Sequence, residues 1–345
     1  MDTANQDYLP ASRLVLLDGM RGIAAFGVMM HHVRNFSFQG AWFERTYLLV
    51  DFFFILSGFV LTLAFEERFR SGLNPRTFLR ARIVRLWPIM AVGGLLGFAV
   101  WQANTGGEGP AGLVLLAATL LFIPLVSGAV GPFPLNGPQW SILWELVANA
   151  LHATLLCRLS NRRLLLLVAG LGALVAGAIF SQGGNALGVH GDDWWTGLYR
   201  VGFGYGAGML MARWWRARRP APLVAWPAAL VLPAIIALAA PLVALPRPLV
   251  DCLITLLLMP AAFWIAASAR WPRRAERGLA LLGTLSFPLY AVHMPVLLFL
   301  LPRAPAGAAG VTAAVLASFL VAGLVAMADA RLREAWRLRR RLVAA

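Results

Sequence analysis

The sequence predicts an all-α, polytopic integral membrane bundle of about ten transmembrane helices, plus one segment that is re-entrant or lies in the interface. Three observations lead there. Of 345 residues, 60% are hydrophobic and only 13% are charged, far from the balance of a soluble domain. Apolar runs recur at lengths near twenty residues, the length that crosses hydrocarbon as a helix. The 30 basic residues are all arginine and gather in short clusters between those runs, as the positive-inside rule requires.

Residues 1–12 are polar, include Asp2 and Asp7, and lack the basic start of a cleaved signal peptide; residues 1–13 are expected to form a cytoplasmic N-terminus. The first apolar run is therefore expected to stay as a span. Hydropathy places spans at about 14–34, 46–66, 86–103, 139–157, 163–181, 195–214, 222–243, 249–269, 279–301 and 309–329. Charge assigns the shorter run 111–127. Arginine clusters at 68–85, 158–163, 213–219, 270–277 and 331–341 share one side only if the chain crosses once between 104 and 158. Both termini are then cytoplasmic, including the basic tail 331–345. The 111–127 run becomes re-entrant or interfacial and is expected to line a cavity, because irregular backbone at membrane depth needs protein or water around it. The Pro/Gly-rich stretch 131–138 would return the chain to the fourth span. Residues 1–345 read as a single integral-membrane domain, with no hydrolase-like segment expected after the last span.

The net charge of +15 reads as contact with anionic head groups in a bacterial inner membrane, not as a nucleic-acid surface. Cys157 and Cys252 stand alone, and His190, Asp192 and Asp193 lack ligand spacing. No disulfide and no metal are expected.

Chemistry is sought where polar groups interrupt apolar spans. The run from Leu17 to His32 carries Arg21 near its start and His32 at its end. Eleven residues make about three turns, so both lie on one face, roughly 16 Å apart. His31 points about 100° away and is read as an interface residue. With orientation fixed, His32, Asp51, Glu145, Arg200 and His293 come to one level in the outer half from five spans. Buried ionisable groups must pair or meet water, so a common cavity is expected. Asp51 needs a partner, and Arg200 is expected to pair with an acid. His293 fits either a site wall or a packed polar residue, and Asp251 and Asp329 read as interfacial. At the cytoplasmic entrance of span three, Arg82 and Arg85 stand one turn apart before Pro88, a forked pair suited to phosphates.

Five stretches in order resemble the membrane-bound acyltransferase-3 family, whose members O-acylate sugars and related acceptors. They are Leu17-Asp18-Gly19-Met20-Arg21 with the ten-residue spacing to His32; Val50 to Val60 around Ser57-Gly58-Phe59; Arg82-Ile83-Val84-Arg85-Leu86-Trp87-Pro88; Trp140 to Glu145; and Leu282 to His293. The resemblance implies an enzyme that takes an acyl group, acetyl by default, from cytoplasmic acyl-CoA to a carbohydrate or glycoconjugate hydroxyl at the outer side. It makes Arg21 and His32 the essential pair and the Ser57 turn a structural motif near the site. Arg82 and Arg85 become donor-phosphate contacts and Glu145 a polar partner in the pocket. Beside what the resemblance implies, Ser57, Trp140, Arg200 and His293 are read as candidate substrate-pocket residues. One motif departs from the family, reading Ser286-Phe287-Pro288 where Ser-Tyr is usual, so no role is expected for that tyrosine hydroxyl.

Histidine is the natural general base near neutral pH. His32 is expected to take the acceptor proton, with Glu145 or Asp51 orienting its ring. Arg21 would bind the donor arm or stabilise developing charge. Direct transfer needs fewer assumptions than an acyl-histidine. The alternative is a secondary transporter of a small anionic or sugar-like solute, which would also carry intramembrane charges. It predicts internal repeats, and the halves show no clear self-similarity.

Overall fold

The computed structural model describes residues 11–37, 41–106, 110–126, 131–218, 233, 236, 244–269 and 276–344. Among these every regular element is helical and no strand occurs; the chain is an all-α membrane protein. The helices are α1 (Ala11–Ser37), α2 (Val50–Arg70), α3 (Pro75–Thr105), α4 (Pro110–Leu120), α5 (Gln139–Thr154), α6 (Asn161–Gln182), α7 (Gly197–Arg218), α8 (Arg247–Ser268), α9 (Glu276–Leu300) and α10 (Ala308–Ala344). Six helices among the described residues are long and apolar enough to cross a membrane: α2 with its preceding turn, α3, α6, α8, α9 and α10. The sequence predicted about ten spans. Part of the difference is physical: α5 has only 16 residues, and α7 carries Arg200, Arg213, Arg216 and Arg218. The span expected at 222–243 lies outside the described residues except for Pro233 and Ile236.

Local chemistry sets several helix ends. Asn74 caps α3, its side chain accepting from the Arg76 amide at 2.8 Å ahead of Pro75 at the first turn. Gly106 and Gly183 close α3 and α6 with φ of 78° and 76°, the left-handed cap glycine adopts freely. Proline interrupts two other helices. Before Pro260, which has no amide to offer the Leu256 carbonyl, α8 widens into a π-turn at Ile254–Leu258. In α9, Pro295 cannot donate to the Ala291 carbonyl, and the Asn136 side chain supplies that hydrogen bond at 3.0 Å. A connecting loop thus satisfies backbone that a proline left open.

Two tightly packed helix pairs form the interior. The first joins α2 to α7: a Cβ on Gly208 would collide with the Ile55 carbonyl and Phe59 amide, and one on Gly58 with the Tyr205 backbone. Close backbone approach at small residues is the membrane form of helix packing. The second joins α1 to α9, where Gly22 meets the Leu282 backbone and Gly283 meets Asp18. Burial separates inside from outside: the apolar window of α2 is 72% buried and that of α10 is 17%, so α2 is central and α10 faces lipid.

The 111–127 run contains the 11-residue α4, about 16 Å long against a hydrocarbon core of about 30 Å, and it makes no full crossing. It packs on α3, where Gly94 meets Thr119 and Gly112 meets Trp101. Its terminal carbonyls are taken by side chains, Thr119 by Gln139 at 2.5 Å and Leu120 by Trp87 at 2.8 Å. The expectation that this run lines a cavity does not hold for the cavity described below, because α4 turns Leu113 and Val114 outward.

The glycine seam gives a test. Gly208→Val should destabilise the purified protein by about 1–3 kcal/mol through overpacking, read as a lower thermal-unfolding midpoint. Gly177→Val, on α6 where a Cβ meets open space, should leave the midpoint near wild type.

Candidate functional site

A cavity of about 380 Å³ lies among α1, α2, α3, α5 and α9. It runs beside α2 from Val50 to Phe65, a helical rise of about 22 Å. Apolar side chains line most of it, including Phe53, Phe54, Val60, Leu61 and Phe287.

At one end stand Arg21, Arg82 and Arg85. Arg21 pairs with Asp18 at 2.9 Å, one turn earlier on α1. Arg82 reaches across to Glu145 at 2.9 Å, and the Ser57 hydroxyl donates to the same carboxylate oxygen at 2.8 Å. Arg85 is exposed at the mouth, and among the described residues no carboxylate pairs with it. Arg333 of α10 donates to the Arg85 carbonyl at 3.0 Å and pairs with Asp329 at 2.6 Å. This arginine end therefore has one cation more than its acids balance.

The sequence placed Glu145 with His32 in the opposite half, and the structure overturns that. The loop before α5 dips into the bundle, with Phe133, Leu135 and Asn136 buried, so α5 starts deep and Glu145 meets Arg82. The expected meeting of five polar residues at one level separates into three sites.

The second site is the other end of the cavity and what lies beyond it. Ser141 and Tyr290 line the cavity, their hydroxyls 2.7 Å apart, and Tyr290 also donates to the Pro138 carbonyl at 3.2 Å. Three residues further along α9, the His293 ring lies 6.0 Å from that of Tyr290 and 5.3 Å from that of His32. Neither histidine lines the cavity itself. His293 is fully buried, and leaving a buried acceptor such as its Nε2 unpaired costs about 1–3 kcal/mol. His31 has a structural setting, with Nδ1 on the Phe43 carbonyl at 3.3 Å and Nε2 on Asn35 at 3.0 Å. Among the described residues, no hydrogen bond joins His32 to Asp51 or Glu145; the expected carboxylate support is absent because both acids are committed elsewhere.

The third site is a buried polar network. Arg200 grips Asp51 with two bonds, Nε to Oδ1 at 2.8 Å and Nη2 to Oδ2 at 3.0 Å, the strong forked geometry. Asn185, from the α6–α7 connection, gives its carbonyl to Arg200 at 2.8 Å and its side-chain amide to Thr255 at 2.7 Å. Asp251 accepts from Arg45 at 2.5 Å, from the Asn185 amide at 2.9 Å and from the Tyr47 hydroxyl. It is fully buried, which corrects its assignment to the interface. Trp140 packs on Phe54, its ring 5.6 Å from the Arg200 guanidinium. Asp51, Arg200, Trp140 and His293 are therefore not cavity wall, whereas Arg21, Ser57, Arg82, Arg85 and Glu145 are.

Sequence reasoning passed over Ser141, Tyr290, Asn185 and the Glu66–Arg213 pair, whose Nε–Oε1 distance is 2.9 Å. Tyr290 could have been found from its three-residue spacing to His293, which puts both on one face of α9.

Comparison with known proteins now bears on this arrangement. Residues 14–327 match a family model described as an acyltransferase domain, a range that contains every cavity residue. "Protein 2 in picA locus" of Rhizobium radiobacter is 34% identical over 189 residues, covering 50% of this chain and 98% of that protein. No solved structure matches.

The Asp51–Arg200 pair is testable as structure. Asp51→Ala should destabilise the protein by about 3–5 kcal/mol by leaving Arg200 buried without its counter-charge. The double variant Asp51→Leu with Arg200→Met should recover much of that, measured as thermal midpoints in one detergent.

Proposed function

The chain belongs to the acyltransferase domain family that it matches over residues 14–327, and from that premise we propose that it is a membrane-bound O-acyltransferase using cytoplasmic acyl-CoA. The acceptor is a hydroxyl of a carbohydrate or glycoconjugate, and acetyl is the default acyl group. In this reading the protein sits in a bacterial inner membrane with both termini cytoplasmic. Membership in an enzyme family removes the transporter alternative.

One observation carries the proposal: a long slot with guanidinium groups at one end and hydroxyls followed by imidazoles at the other. Acyl-CoA is a phosphate-bearing head on a long arm that ends in a thioester. Arg85, exposed and without an acidic partner among the described residues, suits the phosphates as they arrive. Arg82 can exchange Glu145, which it holds by one bond at 2.9 Å, for a phosphate oxygen, since both contacts are charge-assisted. The arm then lies along the apolar face of α2 past Phe53 and Val60, and the thioester comes to the Ser141–Tyr290 end. Arg21, beside Arg82 and Arg85 at the mouth, holds the start of the arm. Only the arm crosses the bilayer.

An acyl thioester is already activated, so the protein must orient it and remove a proton from the acceptor. His32 is partly exposed and takes that proton from an acceptor approaching beyond the cavity. The alkoxide oxygen attacks the thioester carbonyl, the carbon–sulfur bond breaks, and the leaving thiolate recovers the proton. Glu145 serves as the counter-ion of Arg82 in this account. Asp51 serves as the anchor of Arg200.

With purified protein, acetyl-CoA and envelope glycan from a deletion strain as acceptor, His32→Ala should lower transfer by at least about two orders of magnitude. Wild-type transfer by that variant would overturn the base assignment. Arg82→Ala and Arg85→Ala should each raise KM for acetyl-CoA by about tenfold or more, the value of a charge-assisted contact, while kcat changes less. Unchanged KM in both would overturn the donor end. Mass spectrometry of the deletion strain's glycans should find a missing ester.

A further inference from the structure

The two ring nitrogens of His293 have different surroundings. A carbonyl can only accept, so the 2.9 Å contact with Leu289 puts the proton of His293 on Nδ1. Its Nε2 is then a lone pair, buried and without a hydrogen-bond partner among the described residues. The ring of His32 lies beside that of His293, centroid to centroid 5.3 Å at an interplanar angle of 31°. Burial orders the pair: His293 is fully buried and His32 stands partly exposed in front of it.

The other polar neighbours are occupied. His31, 5.5 Å from His32, uses one nitrogen on Phe43 and the other on Asn35. Tyr290 is held by Ser141 and Pro138. Asp51 and Glu145 are bound to Arg200 and Arg82.

We infer that His293 is the positioning residue of His32: its Nε2 accepts the ring N–H of His32 and thereby fixes which His32 nitrogen is bare to take the acceptor proton. This rests on the general-base reading given above. The logic is that of an oriented catalytic base with an imidazole where other enzymes use a carboxylate. In the transfer step the acceptor O–H gives its proton to the bare nitrogen of His32 as oxygen bonds to the thioester carbon. The carbon–sulfur bond breaks, and the thiolate takes that proton from His32. His293 keeps its own proton on Nδ1 throughout and stabilises the transient imidazolium. Hydrogen bonds of this kind shorten when substrate is bound. A neutral partner also brings no further charge into hydrocarbon.

The test uses the full-length protein, labelled with ¹⁵N-histidine in detergent micelles, and the transfer assay with acetyl-CoA and deletion-strain glycan. His293→Asn keeps a donor for the Leu289 carbonyl but has nothing at the Nε2 position. In the wild type, His32 should hold a single tautomer. In His293→Asn it should populate both, with kcat down about 10- to 100-fold and KM for acetyl-CoA within about twofold. His293→Gln, whose amide reaches the Nε2 position, should restore part of the rate, and it replaces the Asn variant if that one does not fold. A single wild-type tautomer of His32 together with wild-type kcat in the variant would overturn the inference. Full activity of His32→Ala would instead remove the general-base reading, so the two failures are distinguishable.

Discussion

Everything in this bundle answers to one constraint: an ionised side chain in hydrocarbon must meet its counter-charge or water. The central expression of it is the α2–α7 pair. Asp51 binds Arg200 near one end of these helices and Glu66 binds Arg213 near the other, about four turns apart on α2. Between them runs the glycine seam of Gly58, Gly204 and Gly208. Charge fixes the register at both ends, and close packing fills the middle. Neither pair needs to be a large net source of stability, since desolvation offsets most of the attraction. Their effect is to forbid other alignments.

That fixed wall is what the cavity is built against. The face of α2 turned away from α7 carries Phe53, Ser57, Val60 and Ala64, so the seam holding α2 also holds the apolar side of the slot. The opposite side comes from the α1–α9 pair, which bears Arg21 and Tyr290 at the cavity and His32 and His293 beyond it. The site thus lies between two units, each packed on its own glycines.

Much of the fold was legible because hydropathy and arginine clustering depend only on composition along the chain. Helices appear at the apolar runs that lie in the described residues, six of them long and apolar enough to cross a membrane, and charge separates the short α4 from the rest. The pairings were less legible. Arg200 clearly needed an acid, but nothing in one dimension says that Asn185 and Asp251 complete the same cluster. Glu145 lies at another depth than its place in the span predicts, because the loop at 131–138 is buried and α5 starts within the bundle instead of at the membrane surface. Ser141 and Tyr290 escaped notice for a simpler reason. A neutral hydroxyl costs far less in an apolar span than a charge and does not stand out as one does.

The distribution of ion pairs has one more consequence. Among the described residues none joins the α1–α9 unit to the α2–α7 unit; across the slot they touch through contacts such as Tyr290 on Phe53. Apolar contact is non-directional and has no register to lose. The gap can therefore adjust without parting either ion pair of the α2–α7 unit, which makes the seam between the units a compliant joint beside an electrostatically locked wall, with Arg82–Glu145 as its tie at the mouth.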